Sequence, residues 1–194
     1  MPEKTIEMQL DALRENIQTA EFLNGTGLSN EVNIRIFCYD PKYEMAIRHF
    51  SAQLTTDQTL KCRVILRNLF QVFLEICDEN HITDKIPKIE ERKGSHYLLD
   101  QLCGISTEGA FTKKINYNDH QRGRDVLLLT GVGEVFPFIR VHTLLENLQP
   151  IFTDVPILVM YPGDFNQYQL KLFNRLKPNN YYRAFTICGR EKEI

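Results

Sequence analysis

Residues 127–140, Leu127-Leu-Leu-Thr-Gly-Val-Gly-Glu-Val-Phe-Pro-Phe-Ile-Arg140, hold the pattern best suited to chemistry: a buried-type strand, a glycine turn, then a proline-started helix. In an open α/β sheet the carboxyl end of such a strand is where ligands or partners are held. A phosphate cradle there needs G-x-x-x-x-G-K-[ST], with the lysine on the phosphates and the hydroxyl on Mg²⁺. Thr130-Gly-Val-Gly-Glu-Val-Phe-Pro137 has neither lysine nor hydroxyl at those places, and it sets Glu134 where an anion would be repelled. The dinucleotide fingerprint G-x-G-x-x-G fails as well, because Phe136 stands at its third glycine. The glycines are read instead as backbone geometry that lets the chain leave a strand and turn sharply into a helix. Arg140 and His142 lie just beyond the turn and are candidates to contact a ligand or partner. The plainer alternative has Arg140 paired with Glu134 or Asp164 and His142 solvated.

Other chemistries find little support. The five histidines (His49, His81, His96, His120, His142) show no H-x-H, H-x-x-x-H or H-E-x-x-H spacing. No G-x-S-x-G elbow is present. The five cysteines (Cys38, Cys62, Cys77, Cys103, Cys188) are dispersed and odd in number, which suits reduced thiols better than a disulfide frame or a zinc site. No catalytic residue, cofactor or metal is assigned, and a non-enzymatic protein is expected. The segment from Tyr161 to Phe185 interleaves aromatics with bases, and from Pro162 onward six Lys/Arg face three Asp/Glu. Such a mixture suits single-stranded nucleic acid or a protein interface. Asp164, Arg175, Tyr182 and Arg183 join Glu134, Arg140 and His142 as candidate partner-binding residues.

The elements that must position these residues follow from periodicity. Ile6, Leu10, Leu13, Ile17 and Ala20 predict one helix to about Leu23, stopped by Asn24-Gly-Thr-Gly27. Asn33–Tyr39 predicts a strand and Tyr43–Leu54 a helix. Lys61–Arg67 alternates as a strand and Leu69–Cys77 has helical spacing, with one unbroken helix over 59–79 as the alternative. Two short helices are expected over Ile82–Glu91 and Ser95–Leu102, and a long connection or short helix plus loop over Gly104–Arg124. Asp125–Thr130 is the strongest strand. A helix over Pro137–Leu148 follows, then a strand over Val155–Tyr161 stopped by Pro162-Gly163, and a last strand over Tyr181–Ile187. Leu170, Leu172, Phe173 and Leu176 are expected to pack under the sheet edge. Strands alternating with helices predict a single α/β domain over residues 1–194, with a mainly parallel sheet covered by helices on both faces.

The chain has 194 residues, 43% of them hydrophobic and 25% charged, and a net charge of −2. No global field favours nucleic acid or an anionic membrane. No apolar run approaches the ~20 residues of a membrane span. Met1-Pro-Glu-Lys-Thr-Ile-Glu7 lacks the marks of a signal peptide, so a cytoplasmic location is expected.

Leu128-Leu-Thr-Gly-Val-Gly-Glu-Val-Phe-Pro-Phe-Ile-Arg-Val-His142, Leu145-Glu-Asn-Leu-Gln149, Tyr161-Pro-Gly163 and the run Leu172–Phe185 together resemble the BrxB family of bacterial BREX phage-exclusion systems. The resemblance is dense over about residues 125–187 and weaker over residues 1–120. It implies a role in blocking phage replication beside an ATPase-like protein (BrxC), an alkaline-phosphatase-like protein (PglZ) and a DNA methyltransferase (PglX). It brings no catalytic residues. The expectation is a non-catalytic adaptor or scaffold linking other BREX proteins. The alternatives are nucleic-acid binding through the aromatic-basic segment and a degenerate nucleotide-binding protein.

Overall fold

The computed structural model describes residues 5–25, 33–165, 170–175 and 185–186. Two helices open the chain, α1 (Ile6–Asn16) and α2 (Ala20–Asn24). A single helix to Leu23 was expected, but Thr19 divides it. Its hydroxyl donates to Asn16 O at 2.8 Å and accepts from Phe22 N at 3.2 Å, ending one helix and capping the next. Gly25 at φ 61° closes α2 as expected.

Strand β1 (Ile34–Tyr39) leads through a short 3₁₀ turn into α3 (Glu44–Thr56). Strand β2 (Arg63–Asn68) and helix α4 (Leu69–Glu79) are separate, so the unbroken helix over 59–79 is excluded. Asn68 forces the change: its Oδ1 accepts from the N–H groups of Phe70 and Gln71 at 2.9 and 3.0 Å. Helix α5 (Ile86–Ile105) is broken at Gly94, as its punctuation predicted, and runs on through Gly104. The following connection contains α6 (Glu108–Ile115), capped by Thr107.

Then come β3 (Asp125–Thr130), the one-turn α7 (Val132–Val135), α8 (Val141–Leu148), β4 (Ile157–Phe165), β5 (Leu170–Leu172) and β6 (Phe185–Thr186). The helix expected from Pro137 starts instead at Val141. Residues 136–139 form a turn, with a cis Phe136–Pro137 peptide, and Phe138 stacks on Phe73 at 4.1 Å between centroids. Ile139 is buried and Phe136 and Phe138 are half-buried from this turn, so apolar side chains reach the core here without a helix. Pro162-Gly163 does not stop β4 either. β4 has already run past its last partner on β3 (Leu129 opposite Val159), so no β3 carbonyl needs an N–H from Pro162. Of the last strand expected over Tyr181–Ile187, only Phe185–Thr186 falls within the described residues.

The strands lie in the order β2-β3-β4-β1-β6, all parallel, with β5 antiparallel to β4. Alternate side chains feed two cores. Leu127, Leu129, Ile157, Val159 and Ile36 face α4, α6 and α8, while Val126, Leu128, Leu158, Met160 and Phe37 face α1, α2 and α3. The mainly parallel α/β sheet with helices on both faces is the architecture expected. Among the described residues no helix is long and apolar enough to cross a membrane.

Candidate functional site: the carboxyl edge of the sheet

The strand order reverses between β4 and β1. The connection leaving β1 goes to one face through α3, and those leaving β2 and β3 go to the other. Open α/β sheets hold ligands in the crevice at such a reversal. Here that crevice is crossed by the chain's own charges. Arg48 of α3 bonds Glu44 Oε1 at 3.1 Å and reaches over the sheet to Glu134 Oε1 of α7 at 2.8 Å. The Tyr39 hydroxyl, at the end of β1, donates to Glu44 Oε2 at 2.5 Å. Burial first, then the Glu44 contact, raises the Tyr39 pKa, so the phenol keeps its proton. The hydrogen bond that Arg48 itself donates to Glu44 leads the interactions that raise the Arg48 pKa. The arrangement ties α3 to α7 and places two carboxylates beside the glycine turn, where a phosphate would be repelled.

The glycines themselves are explained by close approach. Gly131 has φ 74°, and a Cβ there would lie 2.7 Å from Asn68 Oδ1, the atom that caps α4. A Cβ on Gly133 would meet the Phe173 ring at 2.8 Å, and one on Gly163 the Lys171 carbonyl oxygen at 2.1 Å. The β4–β5 hairpin therefore folds back over the edge and seats Phe173 on α7. Leu170 and Leu172 are buried as expected, whereas Phe173 keeps 38% of its surface exposed. Leu176 lies outside the described residues.

The expected site residues are distributed unevenly along this edge. Glu134 is held by Arg48, so the alternative pairing with Arg140 is corrected: Arg48, on an element distant in sequence, reaches it first. Arg140 is exposed at the cap of α8, and its carbonyl accepts from Thr143 Oγ1 at 2.9 Å. His142 is half-buried on the first turn, and burial lowers its pKa against the opposing pull of Glu146. Asp164 lies in the β4–β5 hairpin opposite Lys171. Arg175 is exposed just after β5. Tyr182 and Arg183 lie outside the described residues. Sequence reasoning missed Tyr39, Glu44, Arg48 and Asn68. The Glu44–Arg48 spacing of four on a helix was a visible signal, but the bridge to Glu134 was not.

The family model described as BREX protein BrxB matches residues 65–187. A BREX protein BrxB of Bacillus cereus (strain H3081.97) is 36% identical over 96% of this chain and 100% of its own length. The chain belongs to the BrxB family. A second BREX protein BrxB, from Escherichia coli O9:H4 (strain HS), is 27% identical over 96% of this chain and 94% of its own. No solved structure matches the chain significantly. The span matched by the BrxB model contains the glycine turn, Glu134, Arg140 and the β4–β5 hairpin, and Arg48 lies before it. Among the described residues no group of three or more His, Cys, Asp or Glu is arranged to hold a metal.

Proposed function

We propose that this BrxB protein is a non-catalytic adaptor in a BREX antiphage assembly, docking other BREX proteins at the carboxyl edge of its sheet. The observation that carries this reading is the Glu44–Arg48–Glu134 bridge. It fills with internal charge the crevice where a related sheet would take an anionic ligand. What the edge leaves outward is suited to a protein: the exposed cations Arg140 and Arg175, half-buried His142 and the part-exposed ring of Phe173. Arginine and aromatic side chains are over-represented in interface centres. Asp164 completes the proposed surface among the described residues. The partners are sought among the PglZ-like, BrxC-like and PglX-like proteins of the system.

The test is co-purification of the tagged chain, at native expression, with each BREX component. The expected result is recovery of at least one component, reduced about tenfold or more by Arg140→Glu or Arg175→Glu, a loss in the range of an interface anchor. Both variants should melt with the parent. Recovery of the chain alone overturns the adaptor reading, and normal assembly and defence by both variants overturns the surface. Salt-sensitive binding of purified protein to single-stranded DNA would favour the nucleic-acid alternative.

A further inference from the structure

A second surface lies at the side of the sheet, away from the carboxyl edge, and its argument does not depend on the adaptor reading. Strand β2 is the first in the sheet order, and among the described residues no strand pairs with its outer side. Arg63 N donates to Arg124 O at 2.7 Å, so Arg63, Ile65 and Arg67 direct their backbone groups inward to β3. In a parallel ladder the direction alternates, which turns the N–H and C=O groups of Val64 and Leu66 outward. The outward carbonyl of Leu66 is covered by the guanidinium of Arg67, which donates to it at 3.2 Å. Val64, Ile65 and Leu66 are only half-buried, although they contribute to both cores of the sheet. The apolar layers thus continue to an edge with no described strand beyond it.

The charge at this edge selects an occupant. From Gln58 to Leu74 the chain carries Lys61, Arg63 and Arg67 and no acidic residue. Arg63 is neutralised by Asp125, bonding both carboxylate oxygens at 2.7 Å. Among the described residues Arg67 and Lys61 have no ion-pair partner. A second copy of the chain is a poor fit. The same strand of a second copy carries no carboxylate between Gln58 and Leu74 to answer Arg67 or Lys61, so pairing two copies here would bring unanswered cations together. Charged edges generally discourage self-association in this way.

We infer that the outer edge of β2 is a docking strand for an extended acidic segment of a partner protein. The segment adds to the sheet through the backbone groups of Val64 and Leu66. One of its N–H groups replaces the Arg67 guanidinium on Leu66 O, and the released Arg67 pairs with a carboxylate of the segment.

The probe is a capped hexapeptide of alternating glutamate and valine, titrated onto isotope-labelled protein. Saturable shifts and slowed exchange at the Val64 and Leu66 amides are expected, with the Ile65 amide little changed. Leu66→Pro removes an N–H that faces outward, a place where edge strands accept proline, and should weaken binding about tenfold or more. Arg67→Glu should reverse the preference toward a lysine-valine peptide, and this variant keeps the test decisive if Leu66→Pro does not fold. The inference is overturned by the absence of a saturable shift at those amides, by equal binding of the acidic and basic peptides, or by an oligothymidylate that moves the same amides and displaces the peptide. Loss at this edge with assembly through Arg140 intact would separate the two surfaces.

Discussion

Among the described residues Asp125 is the charged side chain that is fully buried. Its side chain is 0% exposed, yet it accepts from Arg63 Nε and Nη2 at 2.7 Å, from the Tyr117 hydroxyl at 2.9 Å and from Gln121 N at 2.9 Å. Burial opposes its charge, but the hydrogen bonds from Arg63, Gln121 and Tyr117 outweigh that cost and hold its pKa below the ordinary range. The network pins the 116–124 connection to the first residue of β3, where His120 stacks on Phe152 and Tyr117 lies tilted against both rings. A carboxylate with a depressed folded pKa contributes stability above its unfolded pKa of about 3.9, and that contribution is lost as pH falls through the lower folded value. Asp125→Asn should therefore cost about 2–3 kcal/mol at pH 6, as expected when hydrogen bonds to a buried charge are broken. Urea unfolding at pH 6 and at pH 3 checks this, since the difference between parent and variant should shrink at the lower pH. A cost that does not change with pH would remove the carboxylate from the explanation.

At the scale of elements, glycines with different surroundings should respond in opposite directions to alanine. Gly131→Ala must hold φ 74° and displace the Asn68 oxygen that caps α4. The strained backbone and lost cap together predict a cost of about 2–3 kcal/mol. Gly104 sits inside α5 with nothing within 4 Å of an added Cβ, so Gly104→Ala should stabilise by about 0.5–1 kcal/mol. Thermal melts of the two variants test the pair; a neutral Gly131→Ala would mean the turn is not needed for the cap. Most elements were legible because each carried its own period, as in β1, α3, α4 and β3. The misplacements came where a local polar contact or a distant neighbour decided the outcome: Thr19 divided the first helix, Phe73 drew Phe138 into a turn, and β5 carried β4 through Pro162.

Across the whole molecule the thiols report on packing. Cys38, Cys62 and Cys77 are buried free cysteines and Cys103 is exposed. Burial, then nearby Asp164, pushes the Cys38 thiol up to about 12, and partial burial followed by Asp100 raises that of Cys103. Alkylation at neutral pH should label Cys103 slowly and leave Cys38, Cys62 and Cys77 unmodified until the protein unfolds. Peptide mapping of the alkylated protein checks this, and early modification of Cys38 would indicate that the β1–β4 core opens locally. The two proposed surfaces, the carboxyl edge around Arg140 and the outer side of β2, are different edges of one sheet. An adaptor with that geometry can hold two partners at once.

Hydrophobic period, glycine placement and missing motif residues were enough, without coordinates, to read a parallel α/β sheet, a glycine turn lacking a phosphate site and a resemblance to BrxB proteins. These depend on residues close together in the chain, where the backbone's own geometry links pattern to element. Arg48 reaching Glu134, Asn68 sitting against Gly131, and Arg63 closing on Asp125 were decided only by the fold. Each joins residues brought together by strand order, and strand order is set by how two apolar cores fill rather than by any local run. The glycine turn therefore owes its shape to the cap of another helix, and its lone acid to an arginine from the opposite face of the sheet.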